Sequence, residues 1–254
     1  MKESIEVSDG IGMSKIAVLT NAFKEENIIS DCVRQFDGSF HHLVLVSKRS
    51  WNGDFVNDDA TARNALKAGA YVRIVDKFAA HDQFNWGLKR LNREGYDWVI
   101  LCDADERYEE DDITNLVDDL KNFPPDVVAV RSNNWDVYWK TDYRIEPPQT
   151  DYPLVAVRPH VRMHSIRQPH LAENEKLGWT DVHMHHFSYC RNDEQMWKKI
   201  NSFQAATEFS PEDWYRNVWQ EWTPEMEDLH PVNPPQFKRA VYNPAPKGIL
   251  KVGS

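Results

Sequence analysis

Two rhythms of apolar and polar positions run along the first half of the chain. KIAVLT (Lys15 to Thr20), HLVLVS (His42 to Ser47), YVRIV (Tyr71 to Val75), WVILC (Trp98 to Cys102) and VVAVRS (Val127 to Ser132) are short runs rich in β-branched residues, and they predict strands. Between them the apolar positions recur at helical spacing. Ile28, Ile29, Cys32, Val33 and Phe36 share one face; Ala62, Ala65 and Leu66 stop at Gly69; Phe84, Leu88 and Leu91 stop at Gly95; Ile113, Leu116, Val117 and Leu120 follow. Strands alternating with such helices imply right-handed parallel crossovers, hence an α/β fold: an open, mostly parallel sheet flanked by helices.

In such sheets ligands bind beyond the carboxyl ends of the strands, where Thr20, Ser47, Asp76 and Asp103 are expected. From about Asn133 the alternation stops. Trp135, Tyr138, Trp139 and Tyr143 are followed by prolines, irregular strands and a group of histidines, from His160 to His186. Asn192 with Gln195 then reads as a capping pair for a helix lined by Met196, Ile200 and Phe203. Ser210, Pro211 and Asp213 open another, with Trp214, Val218 and Trp222 at spacing four. The expected organisation is a disordered leader over residues 1–14, a ligand-binding α/β half over 15–132, a second half of the same domain over 133–208, and a helical, proline-rich extension over 209–254.

Composition narrows the classes. With 41% apolar and 12% aromatic residues the chain is globular, and no apolar run approaches the ~20 residues of a membrane span. The first twelve residues lack the basic start and apolar stretch of a secretory signal. Cys32, Cys102 and Cys190 sit in apolar patterns and read as reduced core thiols, which points to the cytoplasm. A formal charge of -10 disfavours a general polyanion-binding surface but suits recruitment of divalent cations.

One stretch stands out: WVILCDADERYEE, Trp98 to Glu110, runs from a core strand straight into acid. Asp103 and Asp105 flank the small Ala104 on a chain leaving the strand, and alternate residues of extended chain face one side. Both carboxylates can therefore meet one hard cation, Mg2+ or Mn2+, with diphosphate oxygens completing its shell. The plainer reading is an acidic start to an exposed helix, where negative charge is favourable. If the acids crowd one another, Asp105→Ala is expected to leave the apo fold intact or slightly firmer.

Four segments in order carry a resemblance: TNAFKEENI (Thr20 to Ile28), QFNWGL (Gln83 to Leu88), DADER (Asp103 to Arg107) and HHFSYCR (His185 to Arg191). Together they resemble the family 2 glycosyltransferases with the GT-A fold, in particular the bacterial branch that modifies lipopolysaccharide cores. The resemblance implies metal-dependent, inverting transfer of a sugar from a nucleotide-diphosphate sugar, with a UDP-sugar as first choice, to an acceptor hydroxyl. It implies Mn2+ or Mg2+ held by Asp103, Asp105 and His186, and a donor held by Thr20, Glu25, Asn85, Asp103 and Ala104. The implied acceptor is a glycan or a lipid-linked sugar; a modified DNA base is disfavoured by the net charge.

Two segments depart from that family. SKRSWNGD (Ser47 to Asp54) replaces an acidic base-recognition segment, leaving Lys48 or Arg49 as phosphate contacts. IRQPHLAEN (Ile166 to Asn174) keeps His170 but has Leu171 where the family's acid stands, so Glu173 is taken as the base, with Asp181 and Asp136 behind it. Two other classes compete. A zinc hydrolase could draw on His160, His164, His183, His185 and His186 with Asp105, and a non-catalytic sugar-binding protein could use Trp135, Trp139, Trp214, Trp219 and Trp222.

Overall fold

The computed structural model describes residues 14–249, apart from residues 37, 51–55, 77–78, 150–151, 203–204 and 248. The expected leader, apart from Ser14, lies outside the described residues, as do Phe203 and the segment from Trp51 to Asp54.

The first half follows its predicted order: β1 (Ile16–Ala22), α1 (Ile29–Arg34), β2 (His41–Ser47), α2 (Thr61–Lys67), β3 (Tyr71–Val75), α3 (Ala80–Arg93), β4 (Trp98–Leu101), the short β5 (Glu106–Tyr108) and α4 (Glu110–Asn122). β1 pairs in parallel with both β2 and β4, and β2 with β3, so these strands lie in the order β3-β2-β1-β4. Alternation along them feeds two cores. Val18, Val44 and Ile100 pack with Ile29, Cys32 and Leu116 on one face, while Leu19, Leu45 and Leu101 pack with Phe84, Leu88 and Leu91 on the other. The α3 face is pressed close: a Cβ on Gly87 would stand 2.7 Å from a methyl of Leu19. Gly87 therefore serves helix–strand approach.

Beyond β4 the sheet turns antiparallel, through β6 (Val127–Lys140), β7 (Tyr143–Glu146) and β8 (Leu154–Val157), with β8 inserted between β4 and β6. The hairpin of β9 (Arg162–Ser165) and β10 (Gln168–His170) stands apart, and β11 (Lys176–His186) runs parallel to β6 and antiparallel to β5. The change of character at Asn133 falls inside β6, because the strand continues for 14 residues and its Val137 and Trp139 enter a third core with Met196, Ile200 and Trp219.

Asn192 and Gln195 cap α5 (Asp193–Ser202) reciprocally, Gln195 N donating to Asn192 Oδ1 at 2.9 Å and Asn192 N to Gln195 Oε1 at 3.1 Å. Ser210 caps α6 (Pro211–Trp214), which widens at once into a π-helical turn, Tyr215–Gln220. The wider turn brings Trp219, five residues after Trp214, into the core, where spacing four had predicted Val218. The chain ends on a strand as well as helices: β12 (Arg239–Tyr242) pairs antiparallel with β7. Among the described residues no helix is long and apolar enough to cross a membrane.

Candidate functional site

A cavity of about 390 Å³ opens at the carboxyl ends of β1 and β4. Its walls come from the end of β1 (Asn21) and the loop after it (Lys24, Glu25), the turn after β4 (Asp103, Ala104, Asp105), the end of β11 (His186) and the loop after it (Ser188, Arg191), and α5 (Lys198, Lys199). Four elements distant in sequence thus converge on the acidic stretch.

Asp105 is 5% exposed, with Glu25 and Asp103 near enough to feel its charge, but cations hold it. Its Oδ2 accepts hydrogen bonds from Lys199 Nζ at 2.8 Å and Arg191 Nη2 at 2.9 Å, and its Oδ1 lies 3.4 Å from His186 Nε2. Burial works to raise the carboxyl, but Lys199, His186 and Arg191 together hold it well below the usual range. Arg191 also clasps Glu25, donating at 2.7 and 3.1 Å to its two oxygens, so one guanidinium ties the loop after β1 to the turn after β4. Burial pushes the Glu25 carboxyl up, with Arg191 opposing.

Asp103 sits one step outward. Glu106 Oε2 accepts its backbone N–H at 2.8 Å; Arg167 Nη2 lies 3.4 Å from Asp103 Oδ2 and donates to Glu106 Oε2 at 2.6 Å, while Nη1 donates to Glu106 Oε1 at 2.7 Å. Burial pushes the Asp103 carboxyl up to about 6, against the pull of Arg167. The buried Arg107 donates to Ala104 O, Glu106 O and Ile28 O, and so locks the turn to the start of α1. The turn's shape is set by cations that hold its carbonyls and acids.

Asp105 and His186 already face each other as two ligands of a hard divalent ion would, while Asp103 must turn inward to join them, since the donor atoms of the three do not all lie within 4.8 Å of one another. Oδ2 of Asp105 is taken, but Oδ1 faces His186 Nε2 at a separation beyond a good hydrogen bond and close to the ~3.0 Å edge of an octahedron with bonds of about 2.1 Å. Asp103, in the same wall, is the second carboxylate. The ring of His186 is held by stacking on Trp135, with centroids 6.0 Å apart and planes 22° apart.

The sequence-predicted residues separate into two groups. Glu25, Asp103, Ala104, Asp105 and His186 come together in the cavity wall. Thr20 does not, and its expected ligand contact is corrected: β1 runs two residues further than predicted, so Thr20 is fully buried, donating to Cys102 O at 2.6 Å and meeting His42 Nε2 at 2.8 Å. Asn21, next in the chain, lines the cavity instead.

Asn85 is corrected too. Its amide donates to Met163 O at 2.9 Å and accepts from Met163 N at 2.7 Å, pinning β9 onto α3. His170 and Glu173, taken as catalytic, are exposed on β10 and the turn after it and do not line the cavity. Lys48 is likewise outside the cavity, beside Asp76 at 4.0 Å, and Arg49 does not line it.

Of the hydrolase alternative, His160 pairs with Glu175 at 3.1 Å on an exposed turn and His164 is exposed on β9, so neither joins His186. Among the aromatic residues of the binding-protein alternative, Trp139, Trp214 and Trp219 are buried in the third core. Arg191, Lys199 and Arg167 were not assigned roles from the sequence. Arg191 closes the HHFSYCR segment, which is the one signal that pointed to it. The three thiols are buried and free, and Cys32 Sγ lies 3.9 Å from Cys102 Sγ.

No protein-family model matches the chain, and no curated protein matches it. Similar solved structures include glucosyl-3-phosphoglycerate synthase from Mycobacterium tuberculosis with Mn2+, UDP and glucosyl-3-phosphoglycerate, at 20% identity over 49% of this chain and 44% of that one, with a TM-score of 0.39. The same synthase with Mg2+ and UDP aligns at 19% identity over 49% and 44%, TM-score 0.38. CMP:2-keto-3-deoxy-manno-octonic acid synthetase with CTP aligns at 10% identity over 58% of this chain and 75% of that one, TM-score 0.39. The chain spans less than half the length of the mycobacterial synthase.

Proposed function

We propose that this protein is a metal-dependent glycosyltransferase that moves a sugar, with inversion, from a nucleotide-diphosphate sugar to an acceptor hydroxyl. The observation that carries the reading is the pairing of Asp105 Oδ1 with His186 Nε2, 3.4 Å apart beside Asp103, in a cavity at the carboxyl ends of the parallel strands. Asp103, Asp105 and His186 would hold Mn2+ or Mg2+. When bound, that ion neutralises the diphosphate as it leaves.

The chain's own residues do the rest. Arg191 and Lys199 hold Asp105 ionised and fixed, so the ligand set is preorganised before donor arrives. Lys24 and Lys198 add positive charge at the cavity wall for an anionic donor. Ala104, small and 2% exposed, keeps the turn open to close approach. The donor is proposed to be a UDP-sugar and the acceptor a glycan or lipid-linked sugar, reached from the 133–208 half. Three buried free thiols support a cytoplasmic setting.

A second reading, binding of a nucleotide sugar without turnover, is favoured by one observation: His170 and Glu173 stand outside the cavity. One experiment tests both. Calorimetry of UDP with Mn2+ and with chelator, followed by a panel of nucleotide sugars scored for nucleotide release, should give Mn2+-dependent binding and slow release. Equal affinity with chelator would remove the metal; Mn2+-dependent binding without release for any donor, with or without glycan acceptors, would leave the binding protein.

A further inference from the structure

Strand β11 carries histidines on both of its sides. His186 turns to Asp105, whereas His183 and His185, two residues apart and so on one side, turn away from it toward Asp136 of β6. We propose that Asp136, His183 and His185 form a second metal site, for a borderline divalent ion of the zinc class, separate from the donor cavity.

The geometry is that of a prepared ligand set. Among the described residues these three are the one group of potential ligands whose donor atoms all lie within 4.8 Å of one another. His183 Nε2 is 3.1 Å from Asp136 Oδ2, near the ~3.3 Å edge of a tetrahedron with metal–ligand bonds of about 2.0–2.1 Å. The two imidazoles are stacked, with centroids 4.5 Å apart and an angle of 8° between planes.

His185 Nε2 is buried without a hydrogen-bond partner on a side chain that is 2% exposed, and the buried His183 Nε2 has only the Asp136 oxygen 3.1 Å away. A buried, unpartnered ring nitrogen such as that of His185 is costly, and an ion shared with His183 and Asp136 would satisfy it. The surroundings hold the ligands as outer partners of metal sites do. Tyr138 OH lies 3.3 Å from His185 Nδ1, which leaves Nε2 as the ligand atom. Arg144 donates to both Asp136 oxygens at 3.1 and 3.2 Å, and Asp112 Oδ1 accepts the backbone N–H of His183 at 2.9 Å.

Glu109 Oε1 lies 3.9 Å from His185 Nε2 on a half-exposed side chain, outside the group of three, and would have to swing inward to complete the shell. His183, 39% exposed, is the way in. Two imidazoles with carboxylates select zinc over Mg2+ or Mn2+, so the two sites differ in the ion they take. An ion here would tie β11 to β6 and to the loop before α4, fixing the strand that presents His186.

The test is zinc titration of the untagged full chain, stripped with chelator, against a chromogenic competitor and without nucleotide. One zinc per chain is expected at micromolar free zinc, with affinity reduced at least about tenfold in His183→Gln and in His185→Gln and unchanged in His186→Gln. His183→Gln, at a partly exposed position, keeps the test open if His185→Gln fails to fold. The cobalt form should show the intense visible bands of four-coordination. No zinc retained, wild-type affinity in His183→Gln, or loss only in His186→Gln would each overturn the proposal, the last by placing the ion in the donor cavity.

Discussion

Lys199 sets its ammonium 2.8 Å from Asp105, 94 residues away, on the same carboxylate oxygen that Arg191 holds. The acid that sequence alone marks as a repulsive cluster is therefore a neutralised one. Its partners come from α5 and from the loop after β11.

Asp105→Ala should accordingly destabilise the apo protein, contrary to the expectation from charge crowding. Removing the carboxylate leaves Arg191 and Lys199 facing a largely buried pocket, at a cost of ~3 kcal/mol. A thermal melt in chelator would show a fall of several degrees, and adding Lys199→Met should recover part of it. An unchanged melt would mean the cations relax into solvent.

His42 supplies a pH dependence that does not involve the cavity. It is buried, and burial, with His41 beside it, pushes its imidazole down to about 3. Thr20 spends its proton on Cys102 O, so His42 Nε2 donates to Thr20, and a second proton would sit on the buried Nδ1, which has no partner to receive it. A depressed histidine takes up its proton only in the unfolded chain over this range, so its effect on stability is absent well above pH 6.5 and grows as pH falls toward 3. Between pH 7 and pH 5 the loss from this group is about 2 kcal/mol. Denaturant melts of the wild type and His42→Gln across that window should show the slope reduced in the variant.

Asn85→Ala separates packing from ligand binding. Losing two hydrogen bonds that hold β9 to α3 should cost ~2 kcal/mol in urea unfolding, while Mn2+-dependent UDP affinity changes less than about twofold. A tenfold loss of UDP affinity in a folded variant would return Asn85 to the donor site.

His186→Ala should weaken Mn2+-dependent UDP binding by about tenfold or more, and His185→Ala should leave it near the wild type when both are measured in excess Mn2+ without zinc. Calorimetry decides. The opposite ranking would mean that β11 presents its other side to the cavity.

The alternation of strands and helices through Val127 was legible because period-two and period-3.6 patterns are local, and the two cores follow directly from them. The capping pair at Asn192 was legible for the same reason. Thr20 and Asn85 were misjudged because a motif gives order along the chain and not burial: each lies near the cavity in sequence and spends its polar atoms on the backbone. Lys199 and Arg167 were invisible, since a surface-looking lysine on an amphipathic helix and an arginine in an irregular loop gain meaning only when folding sets them against Asp105 and Glu106. The pairing of His183 with Asp136 depends on the register of two long strands, which no local pattern encodes.

That register bears on descent. Because β11 shows His186 to one side and His183 with His185 to the other, loss or gain of a single residue between His183 and His186, beyond the bulge at Thr180–His183, would exchange the two faces. Lineages descended from this protein can lengthen the exposed turn at Glu173 freely, but through the end of β11 they must keep the count of residues, whatever substitutions they accept.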